Sequence, residues 1–534
     1  MSASTEKKNR NYARQAGTDK KMLAAQEEAK KQAVSKRRWT WGTVGVVLLI
    51  AAILLVNSGL LFTATTALTV NGVKYTPAQV NYYYGNDYLN MANTYGNYAS
   101  VLGLDTSRGI SGLGDQECPM MEEGGTWRDY FRDAAKNDIR QIRALLDLAA
   151  ANGVTLTEEE IAEVDAQFEG IDETARSYGY SSADKLYSMN YGSGVTKKVV
   201  RQAALDGALA QKVNEDKQNS LTWTDAELEE YYQSLNGSSD FFDFDIYIVR
   251  ADTVENPVTA ADGTETTEMI ATDESRAEAK ATADAIVAAY QDGLAEAEGN
   301  PDYEAVFAAA VDSQTGEAGE QPTQRRDYSG ASLPTAYIDW MKDASRKAGD
   351  VAAFPDADED PTTYIAVLYL SREDNHYKTA NVRHILIKAE AAEDGTYSDE
   401  AKAAAKARAE EILAEYQAGD KTEESFAALA NEYSEDTGSN TNGGLYENVA
   451  HGQMVEEFDA FCFGGHKAGD TAIVYGESGS YAGYHVMYYV GEGDLYSNTI
   501  ARTDLQSDAM NTWISELAEA TTAEEGFGFR FVGK

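Results

Sequence analysis

The chain has 534 residues, too many for one hydrophobic core, so three or four separately packed units are expected. With 43% hydrophobic and 10% aromatic residues, including 33 Tyr, its composition is globular and not that of a disordered chain. A formal net charge of −43 has the wrong sign for phosphate and excludes nucleic acid as a partner.

The charge is unevenly spread. Residues 1–38 carry 11 Lys or Arg against 4 Asp or Glu, a net of +7, which leaves 34 against 84, a net of −50, for the other 496 residues. Between the two regimes lies "WTWGTVGVVLLIAAILLVNSGLLF", residues 39–62, in which Val44 to Val56 has no polar side chain. Its length matches the roughly 20 residues that span a bilayer. A cleavable signal peptide is the rival, but a 38-residue charged leader is longer than the usual one. A lipoprotein needs a cysteine just after the apolar run, and the first is Cys118. The segment reads as an uncleaved anchor, with residues 1–38 as a basic tail in the cytoplasm and the acidic bulk of the chain outside it. Cys118 and Cys462 are too few for a disulfide framework. They can pair once, but two free thiols, with Cys462 in a helix core, is the simpler reading.

Residues 67–235 read as a mostly helical domain. Asn71-Gly72 between short apolar runs signals a hairpin. Thr126 precedes an amphipathic run ended by Gly153, and Thr157 with Glu160 and Thr224 with Glu227 match the capping box. The tyrosine-rich "NYYYGNDYLNMANTYGNY", residues 81–98, has two readings: half-buried packing, or an amphipathic groove for unfolded chains.

From residue 241 a pattern of strand, long Ala/Glu helix, short helix, loop and strand occurs twice. The first copy, 236–375, runs from "FFDFDIYIVRAD" to "PTTYIAVLYLSRED"; the second, 376–494, runs from "NVRHILIKAE" to "AGYHVMYYVGEGD". The tetrapeptide "KAGD" occurs at 347–350 and 467–470, an offset of 120 that also aligns Asp339 with Asp459, Tyr364 with Tyr484 and Tyr369 with Tyr489. The opening strands align at an offset of 138, through Arg250 and Lys388, and the polar stretch 253–273 accommodates the 18-residue difference. This is a tandem duplication of one α+β unit. Residues 495–534 read as a last amphipathic helix and a short strand, which can return to pack on the N-terminal domain.

All five histidines lie between His376 and His485. His384 and His485 sit on the first and last strands of the second copy, each among apolar residues. If those strands are neighbours, the two imidazoles can face each other. His376, His451 and His466 fall in polar loops without ligand spacing, so no metal and no other cofactor is expected. Met454 and Phe458 stand four apart and read as one helical face.

The ordered motifs "RHILIK", "FAALANEYSED", "GGLY", "GQMVEEFDAF", "AGD" and "GYHVMYYV" resemble the parvulin family of peptidyl-prolyl cis/trans isomerases. The resemblance covers about residues 380–494. With an anchored helical region before it, the chain is similar to extracytoplasmic foldases of the PrsA and SurA type. This implies an α+β multidomain fold: one N-terminal transmembrane helix, a SurA-like helical domain, and two tandem parvulin-like domains, the first degenerate. It implies that His384 and His485 are the family's paired histidines, that Asp436 stands beside the substrate peptide bond, and that Leu445, Met454 and Phe458 wall the proline pocket. The loop "AEAAEDGTYSDE" is acidic where phosphate-directed relatives carry arginines, so phosphate specificity is not expected. Ala482 stands where a hydroxyl is often found.

The chemistry fits those residues independently. Rotating an X-Pro amide crosses a barrier of about 18–20 kcal/mol without breaking a bond, so neither nucleophile nor metal is required. A dry apolar pocket for the ring, with polar groups favouring the twisted amide, suffices. In the first copy the two offsets put Ile246 at the place of His384, Ile365 at that of His485 and Ile338 at that of Phe458, with Gln314 near that of Asp436, so that copy keeps the framework without the polar site. The expected function is isomerisation of X-Pro bonds in unfolded or partly folded exported polypeptides, with chaperone activity. A holdase without isomerase turnover, or a structural or adhesive surface protein reusing the fold, are the alternatives.

Overall fold

A computed structural model describes residues 59–534 except 122–123, 260–264, 298, 317–320 and 480. Upstream of 59 it describes only 5–9, 11, 36, 41, 43–44 and 46–47. The expected anchor, 39–62, therefore lies for the most part outside the described residues. Among those described, no helix is long and apolar enough to cross a membrane. The chain divides into two compact units, Met1–Leu221 with Ser507–Lys534, and Thr222–Gln506.

In the first unit, strands β1 (Leu68–Val70) and β2 (Val73–Tyr75) form a hairpin. Asn71 and Gly72 both adopt positive φ, 46° and 79°, as a tight two-residue turn with right-handed strand twist requires. Helix Pro77–Tyr95 opens on a Thr76/Gln79 capping box, and helix Trp127–Asn152 on a Thr126/Asp129 one. The latter stops at Gly153, in left-handed conformation at φ 70°. Helix Glu158–Ala166 carries the expected Thr157/Glu160 box. The tyrosine stretch divides by helical face. Tyr84 and Tyr88 are buried, edge-on to Phe131, which itself stacks on Trp127. Tyr82 and Tyr83 instead line a cavity of about 340 Å³ with Ile142, Leu145, Asn214 and Ile514.

The end of the chain completes this unit. Ala523–Glu525 pairs antiparallel with β1, Leu68 opposite Glu525, which satisfies an edge that β2 leaves open. Val532 is wholly buried, and the Arg132 guanidinium donates to its carbonyl oxygen at 3.0 Å (Nε) and 2.7 Å (Nη2).

Helix Asp225–Ser234, expected at the end of the helical domain, belongs to the second unit. The cap Thr224/Glu227 is as expected, but Leu228 and Tyr232 pack on Ala501, and the Tyr232 hydroxyl donates to Asp240 at 2.7 Å. These contacts, which no local pattern encodes, decide its membership.

The rest of the second unit is two four-stranded antiparallel sheets. The first contains β3 (Phe241–Arg250), β6 (Thr323–Ser329), β7 (Val351–Pro355) and β8 (Thr363–Glu373); the 18-residue difference between copies holds a separate hairpin, β4 (Thr253–Thr259) with β5 (Glu265–Ala271). The second contains β9 (Lys378–Lys388), β10 (Leu445–Val449), β11 (Thr471–Ser478) and β12 (Tyr481–Leu495). Their orders, β6-β3-β8-β7 and β10-β9-β12-β11, are the same. So are their registers: Ile246 faces Val367 where His384 faces Met487, and Val351 faces Leu368 where Thr471 faces Tyr488. The offsets of 138 and 120 thus hold residue by residue. Each "KAGD" turn bonds the last strand alike, Gly349 N–H to Tyr369 O and Gly469 N–H to Tyr489 O, both 2.9 Å.

Alternation along β9 and β12 gives the second sheet two faces. Ile385, Ile387, Val486 and Tyr488 pack under helices Asp399–Ala418 and Glu423–Tyr433. Val382, Met487 and Tyr489 pack under the short helix Glu456–Cys462 through Phe458, Phe461 and Cys462. Cys118 and Cys462 are both buried and free.

Deleting residues 522–534 uncovers β1 and the core around Tyr84. The expected result is a loss of stability in the first unit comparable to deleting one large buried side chain, about 3–5 kcal/mol. Calorimetry of the truncated and full chains checks it; an unchanged unfolding profile contradicts the packing described.

Candidate active site

His384 and His485 project from the same face of the central strand pair. In the β9–β12 register His384 faces Met487 and Leu386 faces His485, so the histidines are diagonal neighbours. Their Nδ1 atoms are 3.0 Å apart, and the rings are nearly parallel, at 20°. Both are buried, at 3% and 4% exposure. The Phe458 ring stands edge-on to each, 5.4 Å from both ring centres.

Asp436 arrives from the turn after helix Glu423–Tyr433. Beyond the end of β10, the N–H and C=O of Leu386 lack a strand partner, and this turn takes that place. Leu386 N–H donates to Ser434 Oγ at 3.1 Å, and Glu435 N–H donates to Leu386 O at 2.9 Å. The pinned turn sets Asp436 Oδ2 2.9 Å from His384 Nε2. The same oxygen accepts from Ser439 Oγ at 2.5 Å and from the Tyr446 hydroxyl at 3.0 Å, while Oδ1 accepts from Gly438 N–H at 3.2 Å. His384 foremost, with Ser439 and Gly438, holds the carboxyl below the usual carboxylate range against the opposing effect of burial. At the other end, the Tyr481 hydroxyl lies 3.0 Å from His485 Nε2. Burial pushes His485 down to about 3, and His384 adds to that effect.

The structure therefore brings together His384, His485, Asp436, Met454 and Phe458. It does not bring Leu445 to them. Leu445 faces Arg383, on the side of Ile385 and Ile387, whereas its neighbour Tyr446 faces Val382, on the side of His384. The correction follows from the period of two: adjacent strand residues point oppositely, and only the register tells which points in. Met454 packs with the Phe458 cluster but precedes helix Glu456–Cys462 and is not on its face. Ser439, Tyr446 and Tyr481 escaped the sequence reading. Tyr446 lies within the "GGLY" motif, and Tyr481 is four residues before His485 and hence on its face. Nothing short of the folded turn marks Ser439. The wholly buried Ala482 has no hydroxyl to offer; the hydroxyl beside His485 Nε2 is that of the neighbouring residue, Tyr481.

The other three histidines stand apart. His376 Nε2 is 3.0 Å from Glu229 Oε2, His451 stacks on Phe463, and His466 stacks on Phe461. In the first copy, Ile246 and Ile365 join Phe244, Val367 and Tyr369 in an apolar cluster, and Gln314 is exposed on helix Tyr303–Thr315, not in a turn against the sheet.

The fold sets the two histidines that the parvulin resemblance pairs in one hydrogen-bonded chain with Asp436. The family model of the PPIC-type PPIase domain matches residues 367–488, which are accordingly a parvulin-type peptidyl-prolyl isomerase domain. No curated protein matches the chain. Among solved structures, it is similar to the peptidylprolyl isomerase PrsA from Bacillus anthracis, at 22% identity over 28% of this chain and 59% of that one, with a TM-score of 0.17. PrsA from Bacillus subtilis gives 13% identity over 75% of this chain and 88% of that one, with a TM-score of 0.28. Foldase protein PrsA from Streptococcus pneumoniae gives 18%, 27%, 52% and 0.17 for the same quantities. The chain thus spans little more than half the length of the B. anthracis and S. pneumoniae proteins.

Because His485 is kept neutral by folding, the unfolded state binds its proton first as pH falls. Its contribution to stability is complete above the ordinary value of 6.5 and is lost as pH falls through that value towards about 3. Denaturant titrations across this window are expected to show a slope of up to one proton, about 1.4 kcal/mol per pH unit, that His485→Phe removes. An equal slope in the variant contradicts the burial argument.

Proposed function

We propose that this chain is a membrane-anchored foldase working outside the cytoplasm, which isomerises X-Pro bonds in unfolded or partly folded exported polypeptides. The observation that carries the reading is the hydrogen-bonded Asp436–His384–His485 chain lying against the apolar side chains Met454 and Phe458, within a PPIC-type domain. In that role Met454, Phe458 and the ring of Tyr446 hold the prolyl ring, which excludes water. The carboxylate and imidazoles present fixed polar groups to an amide that loses conjugation as it twists, so that the twisted form is bound better than the planar one. The acidic loop 389–400 disfavours phosphorylated substrates.

Further parts of the proposal rest on other observations. The apolar run 39–62 behind a basic tail supports a single-pass anchor with the bulk of the chain outside. The cavity beside Tyr82 and Tyr83 supports weak holding of clients by the helical region 67–221. Residues 236–375, with Ile246, Ile338 and Ile365 at the equivalent positions, form a parvulin-like domain without isomerase activity.

Cis/trans exchange of a short X-Pro peptide on the full chain tests this. Asp436→Ala is expected to lower kcat/KM by at least about tenfold, or 1.4 kcal/mol. In the His384→Ala/Asp436→Ala double variant no turnover is expected, because the first copy supplies none. Turnover in the double variant close to wild type assigns the activity elsewhere, and no turnover in wild type leaves only client holding.

A further inference from the structure

We propose that Leu60, Phe527 and Arg530 form a face of the first unit that sits in the headgroup layer of the membrane, at the point where the chain leaves it. The inference rests on the single-pass anchor proposed above. By count, the 20 residues 39–58 are enough to span a bilayer, which puts the exit at Gly59. Among the described residues no spacer follows it. Leu60–Thr63 is already a helical turn, and its Phe62 ring stands edge-on to Phe531, with ring centres 6.1 Å apart. Gly194 leaves room for that side chain, since a Cβ there would come within 2.6 Å of Phe62 Cβ. A few residues on, Gly528 N–H donates to Thr66 O at 2.7 Å, and Gly526 N–H donates to Ala67 O at 2.8 Å. The segment 526–531 is thereby tied to the first folded residues after the apolar run, close to the exit.

What this junction exposes suits a lipid interface. Leu60 is 50% exposed and Phe527 59%, although Val532 beside them in the chain is wholly buried. The Arg530 guanidinium lies over the Phe527 ring, 4.2 Å from its centre. Ring and cation so placed match the two layers of an interface: the ring enters the upper acyl region, and the guanidinium stays at the phosphates, to which its planar fork of donors is complementary. Charge points the same way. Residues 59–73 carry no charged side chain, and 526–534 carry Arg530 and Lys534 without a side-chain carboxylate. The nearest acids in sequence are already balanced: Glu525 pairs with Lys136 at 2.8 Å, and Glu524 and Lys74 lie on either side of Thr69 on one sheet face. In a chain of net charge −43 this is a cationic island, and an anionic lipid surface is its complement.

Cys118 and Cys462 are buried, so Phe527→Cys in the full chain offers one reactive thiol for an environment-sensitive fluorophore. In vesicles of phosphatidylcholine and phosphatidylglycerol, lipids brominated on the upper acyl chain are expected to quench the label at least about twofold, and aqueous iodide to quench it little. Adding Arg530→Glu to the same chain is expected to reduce the effect of the brominated lipid by about half. A label open to iodide and untouched by brominated lipid overturns the proposal. So does a label shielded from both, which makes a second copy or another protein the occupant. Unchanged quenching with Arg530→Glu contradicts the headgroup contact. If Phe527→Cys does not fold, the same label at Leu60→Cys decides. If alkaline extraction strips the chain from the vesicles, the anchor reading fails, while quenching of the bound chain before extraction still decides the face.

Discussion

The pairing of β9 with β12 is the constraint on which the site depends. Two strands about a hundred residues apart meet in one register, and that register sets His384 and His485 diagonally on the same face with their Nδ1 atoms in contact. A slip of one residue would turn both imidazoles under the long helices, where Ile385 and Val486 now lie. The buried pair tolerates its position because each ring nitrogen has a partner: the other ring, the Asp436 carboxylate or the Tyr481 hydroxyl. Unpartnered, each would cost of the order of 1–3 kcal/mol. The polar site is therefore satisfied inwardly while its apolar edge, Met454 and Phe458, remains for a substrate ring.

The two copies separate what the frame needs from what the site needs. Strand order, register and the "KAGD" turn recur in both, and each copy buries an aromatic and aliphatic layer on both faces of its sheet. What differs is the layer under the short helix. In the first copy it is apolar throughout, and the helix ahead of it runs through Gln314. In the second, the corresponding helix ends at Tyr433 and the turn of Ser434, Glu435 and Asp436 bonds along β9. A helix two residues shorter, 11 against 13, makes room for the carboxylate.

In the first unit the equivalent constraint is β1. Three residues long, it is stable only as the middle strand of three, and its second neighbour comes from the far end of the chain. The tyrosines of 81–98 follow from the same packing: one face of their helix is core around Phe131, and the other borders a cavity.

Much of this was legible in the sequence because it is local or repeated. Caps, the Asn71-Gly72 turn and the alternation of strands are set by neighbouring residues. The duplication is visible because two stretches solve one packing problem alike, and the spacing of His384, Asp436, Phe458 and His485 followed from it and from the parvulin resemblance. The tertiary structure alone decided that Tyr446 and not Leu445 faces the histidines, that Ser439 and Tyr481 complete their hydrogen bonds, and that helix Asp225–Ser234 belongs with the sheets. Each of these depends on which strand lies beside which, and in what register. Hydrophobic pattern states that one face of a strand is buried, but pairing between segments distant in the chain determines what that face meets.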